Sequence, residues 1–228
     1  MQIVKTIVGL YILFQYFFLV DTSESMPDAS MQKLNEILNC YKEKIKAVKN
    51  RVDRIDVAIV EFNSEVKVVQ PFVPVDQMEK IHLTPNGHKC LESGIRKAVE
   101  IVDQQNHFYN EQNESPYTPW VLMITKGQPD GDLDGITEII QQYDDENRMR
   151  FWCMLLDDTD EETFKKLCHG KRVLRIDLNE CDFVKGFFDW IPHKLTVNIS
   201  VPGEKPTYIP IERPEHIDYD DPNMWMWW

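Results

Sequence analysis

The chain has 228 residues, a formal net charge of −13 at pH 7 and a hydrophobic content of 43%, which is enough for the core of one large domain. The acidic charge argues against nucleic acids and anionic membrane surfaces as partners. Five cysteines without a C-x-x-C pair and six scattered histidines favour reduced thiols in a cytoplasmic protein over a disulfide framework or a zinc site.

The first predicted element is the apolar segment 3–20. It looks like a signal peptide or a short membrane anchor, but its uninterrupted apolar part is only about 14 residues long, whereas a spanning helix needs about 20. It also lacks a small-residue cleavage site. We therefore expect a leading segment, residues 1–12, followed by a buried strand that ends at Val20. An uncleaved anchor is the alternative.

The sequence Asp-Thr-Ser-Glu-Ser follows this strand at positions 21–25. In an open parallel sheet, ligands bind at the carboxyl end of a central strand. Carboxylate and hydroxyl oxygens are ligands that a small divalent cation such as Mg²⁺ accepts. Asp21, Ser23 and Ser25 are therefore candidate metal ligands, and the alternative is a loop that caps the helix beginning near Ala29.

The rest of the chain alternates between apolar runs and helical periodicity. The predicted elements are a helix at 29–52, hairpin strands at 55–62 and 66–73, a helix at 90–108, a strand at 120–124, a helix at 133–146, a strand at 151–156, a helix at 160–168, a strand at 173–176 and a helix at 180–191. We expect the polar stretch 103–115 to form a loop. This order predicts an α/β fold with a mostly parallel sheet, helices on both faces and one antiparallel edge strand.

The pattern changes after Trp190, where residues 195–201 alternate with period two. We divide the chain into a leading segment (1–12), an α/β domain (13–200), and a β-extension with an acidic, Trp-rich tail (201–228). Aromatic residues are enriched at interface cores, so Trp225, Trp227 and Trp228 are candidate partner-binding residues. The alternative is that these side chains fold back onto their own domain.

Four strings, in this order, resemble von Willebrand factor A (vWA) domains, in particular the bacterial tellurium-resistance-type branch. They are FFLVDTSESM, VAIVEFNSEVKVVQPF, VLMITKGQPDGD and FFDWIPHKLTVNISV. The resemblance implies a three-layer, Rossmann-like fold with a six-stranded sheet and a small C-terminal β-extension. It also implies a metal-ion-dependent adhesion site (MIDAS) at Asp21, Ser23 and Ser25.

The other two MIDAS loops depart from the family pattern. Lys89 falls at or beside the position of a Thr ligand, and Lys126 replaces the Asp of a Thr-Asp-Gly turn. A lysine ammonium has only donors to offer and opposes a divalent cation. Our hypothesis is that Lys126, together with Lys89, supplies the metal's charge through an Asp21–Lys126 ion pair. The alternatives are lysines that point into solvent, and a rearranged Mg²⁺ site that uses Asp130 or Asp132.

The sequence contains neither a Gly-rich phosphate loop nor a G-x-S-x-G motif, so we expect no enzymatic activity. The alternative, a phosphoryl-transfer enzyme, would need Asp21 as a metal-assisted nucleophile.

The resemblance implies a cytoplasmic adaptor that binds another protein. The candidate partner is a kinase or phosphatase of a stress-response, signalling or defence system. Lys89, Lys126 and Asp130 are the partner-binding residues expected on this face, where the two lysines would accept an acidic residue. The acidic C-terminal tail is one candidate for that residue. We expect no cofactor, and Mg²⁺ is the alternative.

Overall fold

The architecture is a six-stranded sheet with helices on both faces. A computed structural model describes residues 13–46, 54–114, 116–131, 133–157, 159–170, 172–176 and 178. The strands are β1 (Leu13–Asp21), β2 (Arg54–Phe62), β3 (Val66–Pro74), β4 (Trp120–Lys126), β5 (Arg150–Leu156) and β6 (Val173–Ile176). The helices are α1 (Asp28–Lys46), α2 (Leu91–Glu111), α3 (Asp134–Asp145) and α4 (Glu161–Leu167), with one 3₁₀ turn at Val75–Gln77.

The strand order is β3-β2-β1-β4-β5-β6. All neighbours pair in parallel except β2 and β3, which form the antiparallel edge expected from the sequence. The chain runs outward from β1 in one direction to β2 and in the other direction to β4. The carboxyl end of β1 is therefore the switch point at which ligands bind in open α/β sheets.

Strand β1 is buried along its whole length because it contributes to two cores. Tyr16 and Phe18 pack in the core beneath α1, while Phe17 and Leu19 pack in the core beneath α2, α3 and α4. Side chains alternate between the faces of a strand, so a continuous apolar run is what a strand covered on both faces requires. This packing fixes the position of Asp21 at the end of the strand.

The structure confirms the predicted α/β fold class, with five parallel strands and one antiparallel strand in the sheet. The expected loop at 103–115 is wrong over its first part, because α2 continues to Glu111. Its polar side chains are the exposed face of the helix, while Tyr109 is buried and donates a hydrogen bond to the buried carboxylate of Asp56.

Several predicted elements lie outside the described residues. These are the leading segment 1–12, the end of the first predicted helix beyond Lys46, the helix at 180–191, and the β-extension and tail at 201–228. Among the helices that the structure describes, none is long and apolar enough to cross a membrane.

Candidate functional site

Three loops meet at the carboxyl end of β1 and are held together by backbone hydrogen bonds. In the loop after β1, the Thr22 amide donates to the Phe62 carbonyl at the end of β2 over 2.9 Å. Its carbonyl accepts from the Asn86 amide over 2.7 Å, and the Glu24 amide donates to the Gly87 carbonyl over 2.9 Å. The segment before α2 is therefore fixed against the loop that contains the candidate metal ligands.

Gly87 makes this close approach possible. Its φ of +67° lies in the left-handed region, and a Cβ at this position would lie 2.5 Å from Ser64 Oγ. That hydroxyl accepts a hydrogen bond from the His88 amide over 2.8 Å. Only glycine fits both the backbone conformation and the available space, so Gly87 directs the chain towards Lys89.

Asp21 is the centre of the site and is fully buried. Its Oδ1 accepts hydrogen bonds from the Ser23 amide over 2.9 Å and from Ser23 Oγ over 2.6 Å. Its Oδ2 accepts from Thr125 Oγ1 over 2.6 Å and lies 3.1 Å from Lys89 Nζ. A buried carboxylate is stable only when it is paired and hydrogen-bonded, and these four donors meet that requirement.

Lys89 extends into the site from the segment immediately before α2. Its side chain is only 8% exposed. Besides its ion pair with Asp21, Nζ donates to the Lys126 carbonyl and, over 3.4 Å, to the Gln128 carbonyl. A lysine ammonium has three donors, and all three have acceptors here. The ammonium thus joins the end of β1, the start of α2 and the loop after β4.

The hypothesis of an Asp21–Lys126 ion pair is wrong. The Lys126 side chain points the other way, and its Nζ lies 2.6 Å from Asp157 Oδ2. This pair is far more exposed, at 30% for the lysine and 48% for the aspartate. Residue 126 ends β4, and the register pairs it with Leu156, immediately before Asp157. Lys89, which falls at or beside the Thr position of the family pattern, therefore neutralises Asp21. Lys126, which replaces the Asp of that pattern, does not.

The remaining predicted residues divide into three groups. Ser25 is exposed, and its Oγ lies 2.8 Å from Ser23 Oγ, so both hydroxyls belong to the Asp21 network. Asp130 Oδ1 accepts from the Leu91 amide over 2.9 Å and so caps the start of α2. Asp132 and the tryptophans at 225, 227 and 228 lie outside the described residues.

Sequence analysis missed two members of the site. Thr125 was not among the candidate residues, although its hydroxyl binds Asp21 directly. Asp157 was not among them either, although it pairs with Lys126. Each stands at or just beyond the carboxyl end of a parallel strand, and this position was the available signal.

A separate open cavity of about 560 Å³ lies near the opposite end of the sheet. Its charged lining groups already bind one another, since Arg148 Nη2 lies 2.7 Å from Asp103 Oδ1. Asn106, which also lines it, accepts from Gln15 Nε2 over 3.3 Å.

Comparisons with known proteins agree with this architecture. The sequence model of the von Willebrand factor type A domain matches residues 17–185. A von Willebrand factor type A protein from Catenulispora acidiphila superposes with a TM-score of 0.57 at 14% identity, covering 82% of this chain and 43% of that chain. The PilB minor pilin from Streptococcus sanguinis gives a TM-score of 0.58 at 13% identity, covering 83% of this chain and 62% of that one.

A third similar structure is that of proximal thread matrix protein 1 from the mussel byssus with a zinc-occupied MIDAS motif. It has a TM-score of 0.52 and 12% identity, and covers 80% of this chain and 46% of that chain. At these identities the similarity concerns the fold alone. The chain spans less than half of the Catenulispora and mussel proteins, and no curated protein matches it. The family match extends over most of the six-stranded sheet and includes Asp21, Lys89 and Lys126, and the chain therefore belongs to the von Willebrand factor type A domain family.

Proposed function

We propose that this chain is a non-enzymatic protein–protein interaction module in which the Lys89 ammonium replaces the divalent cation of the adhesion site. The observation that supports this most directly is the buried ion pair between Lys89 Nζ and Asp21 Oδ2 at 3.1 Å. The vWA fold is a known interaction module, and the Asp21 loop lies at the switch point of the sheet, where ligands of open α/β sheets bind.

The residues around Asp21 do not fit a divalent cation in this arrangement. Ser23 Oγ donates to Asp21 and shares a hydrogen bond with Ser25 Oγ, so the hydroxyls face one another. The positive charge beside Asp21 is already present, and a second cation would be repelled by it.

We propose a partner contact that differs from the one expected from the sequence. All three N–H donors of Lys89 already have acceptors within the domain, so its ammonium is not free to donate to a carboxylate of the partner. The groups accessible to a partner are those further out, such as Ser25 and the Lys126–Asp157 pair. We propose that docking uses this outer layer and does not require a metal ion.

We place the module in a bacterial stress-response, signalling or defence system, as an adaptor whose partner is a kinase or phosphatase. This assignment depends on the resemblance of the four sequence strings to the tellurium-resistance-type branch. The tryptophans of the C-terminal tail remain candidates for a second contact with the partner or with the domain itself.

Metal titration tests the central part of the proposal. Mg²⁺ and Mn²⁺ are titrated by calorimetry into the wild type, the double variant Lys89→Thr/Lys126→Asp and the control Lys67→Thr, whose lysine is 71% exposed. We expect saturable binding by the double variant alone. Wild-type binding as tight as that of the double variant would refute the proposal. Absence of binding in every variant would mean that the lysines are not what excludes the ion.

Partner recovery tests the interaction role. The tagged protein is purified from its native host with and without EDTA, and co-purifying proteins are identified by mass spectrometry. We expect the same partner in both preparations and its loss from the charge-reversal variant Lys126→Glu. A partner that is lost in EDTA would instead establish metal-dependent binding through a rearranged site.

A further inference from the structure

Two buried cysteines lie in contact on the face of the sheet that α4 covers. Cys153 is in the middle of β5 and is fully buried, and Cys168 follows the last residue of α4 and is 2% exposed. Their Sγ atoms are 3.5 Å apart. The pair is not needed for the interaction module proposed above, and it is independent of the Asp21 site.

We propose that Cys153 and Cys168 form an oxidisable pair that closes to an intramolecular disulfide. A disulfide bond is about 2.05 Å long, so the two sulfurs have to approach by about 1.5 Å. The other described cysteines differ in their exposure, since Cys40 is exposed and Cys90 is partly exposed. Among the described cysteines, Cys153 and Cys168 are therefore the pair whose burial and sulfur–sulfur distance favour a bond within the domain.

Cys168 is the member of the pair that can move. It terminates a helix of only seven residues, and short helices open first at their ends. The next two residues, His169 and Gly170, have positive φ values of 51° and 72°. Opening of this last turn exposes the Cys168 thiol to solvent while the rest of the domain stays folded.

Cys153, in contrast, is held in place. Strand β5 pairs with β4 and β6 on its two sides, and the Cys153 amide donates to the Arg172 carbonyl over 2.9 Å. Burial and the neighbouring Cys168 raise the pKa of the Cys153 thiol, so it stays protonated inside the core. Cys168 lies at the end of a short helix whereas Cys153 lies in the middle of a strand, and we therefore assign Cys168 as the attacking thiol and Cys153 as the resolving thiol.

The oxidant is a hydroperoxide, and the reaction proceeds in two steps. The Cys168 thiolate attacks one peroxide oxygen and the O–O bond breaks, which gives a sulfenic acid and, with hydrogen peroxide as oxidant, one water molecule. The Cys153 sulfur then attacks the sulfenic sulfur, and the hydroxyl leaves with the Cys153 proton as a second water molecule. The two thiols lose two electrons and two protons, and the peroxide accepts them.

Peptide mapping of the oxidised full-length chain tests the proposal. The native protein is treated with graded hydrogen peroxide, free thiols are alkylated, and the digest is analysed by mass spectrometry. We expect a linked peptide that contains Cys153 and Cys168, a mass lower by two hydrogen atoms, and reversal by a thiol reductant. Persistence of both thiols after Cys40 has been oxidised, or a bond between either of them and another cysteine, would overturn the proposal.

Three variants complete the experiment. The control Cys40→Ser should form the same linked peptide as the wild type, and Cys168→Ser should not form it. In Cys153→Ser the resolving thiol is missing, so a sulfenic acid at Cys168 should accumulate and react with dimedone. A dimedone adduct on Cys153 in Cys168→Ser, without one on Cys168 in Cys153→Ser, would show that the order of attack is reversed. The mapping of the wild type does not depend on any variant folding correctly.

Discussion

Replacement of Lys89 by methionine removes the charge that neutralises Asp21 and keeps most of the side-chain volume. At 3.1 Å and an effective dielectric constant of about 20, the attraction between the two charges is about 5 kcal/mol. Removal of one partner from a buried ion pair costs about 3–5 kcal/mol in the free energy of unfolding, because the other charge is left uncompensated. For a domain of this size, we expect the melting temperature to fall by about 6–20 °C.

The matched control is Lys67→Met. Lys67 forms an ion pair with Glu61 at 3.2 Å, but its side chain is 71% exposed, and exposed pairs contribute about 0–1 kcal/mol. Thermal and urea unfolding of both variants are compared with the wild type in the presence of EDTA. Equal stability of the two variants would show that Lys89 does not neutralise a buried carboxylate and does not replace a metal ion at this site.

Two further predictions concern the helix that begins beside the site. Gly94→Ala should destabilise the domain despite the better helix propensity of alanine, because the added Cβ would lie 2.8 Å from Phe62 Cγ. The control is Gly135→Ala in α3, where the nearest atom to the added Cβ is 3.9 Å away, and this variant should be neutral or stabilising. Urea unfolding of both variants measures the difference. Asp130→Ala should lower the free energy of unfolding by about 1 kcal/mol through loss of the hydrogen bond from the Leu91 amide. The same variant should leave metal binding unchanged, whereas an Asp130-dependent Mg²⁺ affinity would favour the rearranged metal site.

The sheet and most of its elements were predictable because their signals are local. The continuous apolar run of β1 indicates a strand buried on both faces, and the hairpin of β2 and β3 follows from two β-runs separated by three polar residues. The end of α2 was not predictable from polarity alone. The buried contact of Tyr109 with Asp56 joins residues 53 positions apart, and such a contact is not visible in a local window.

The site was predictable in part of its composition but not in its pairing. Asp21, Ser23, Ser25, Lys89 and Lys126 were all identified, and they lie in the loops expected from the order of the elements. Which lysine reaches Asp21 depends on the direction of each side chain, and the sequence does not encode this locally. A positive charge near the start of a helix is unfavourable by itself, so Lys89 gains its stabilisation from a carboxylate 68 positions away, whereas Lys126 has Asp157 at the end of the adjacent strand.

A lysine ammonium and a bound metal ion differ in whether their contribution to the free energy of unfolding depends on ligand concentration. A divalent cation stabilises the loops by a free energy that grows with the logarithm of its concentration relative to its dissociation constant, whereas Lys89 acts whenever the domain is folded. The loops around Asp21 should therefore stay ordered in a chelator, and partner binding should depend on the outer groups alone. Lys126→Ala separates the two roles, because its ion pair with Asp157 is exposed. It should weaken partner binding while it changes the free energy of unfolding by less than about 1 kcal/mol.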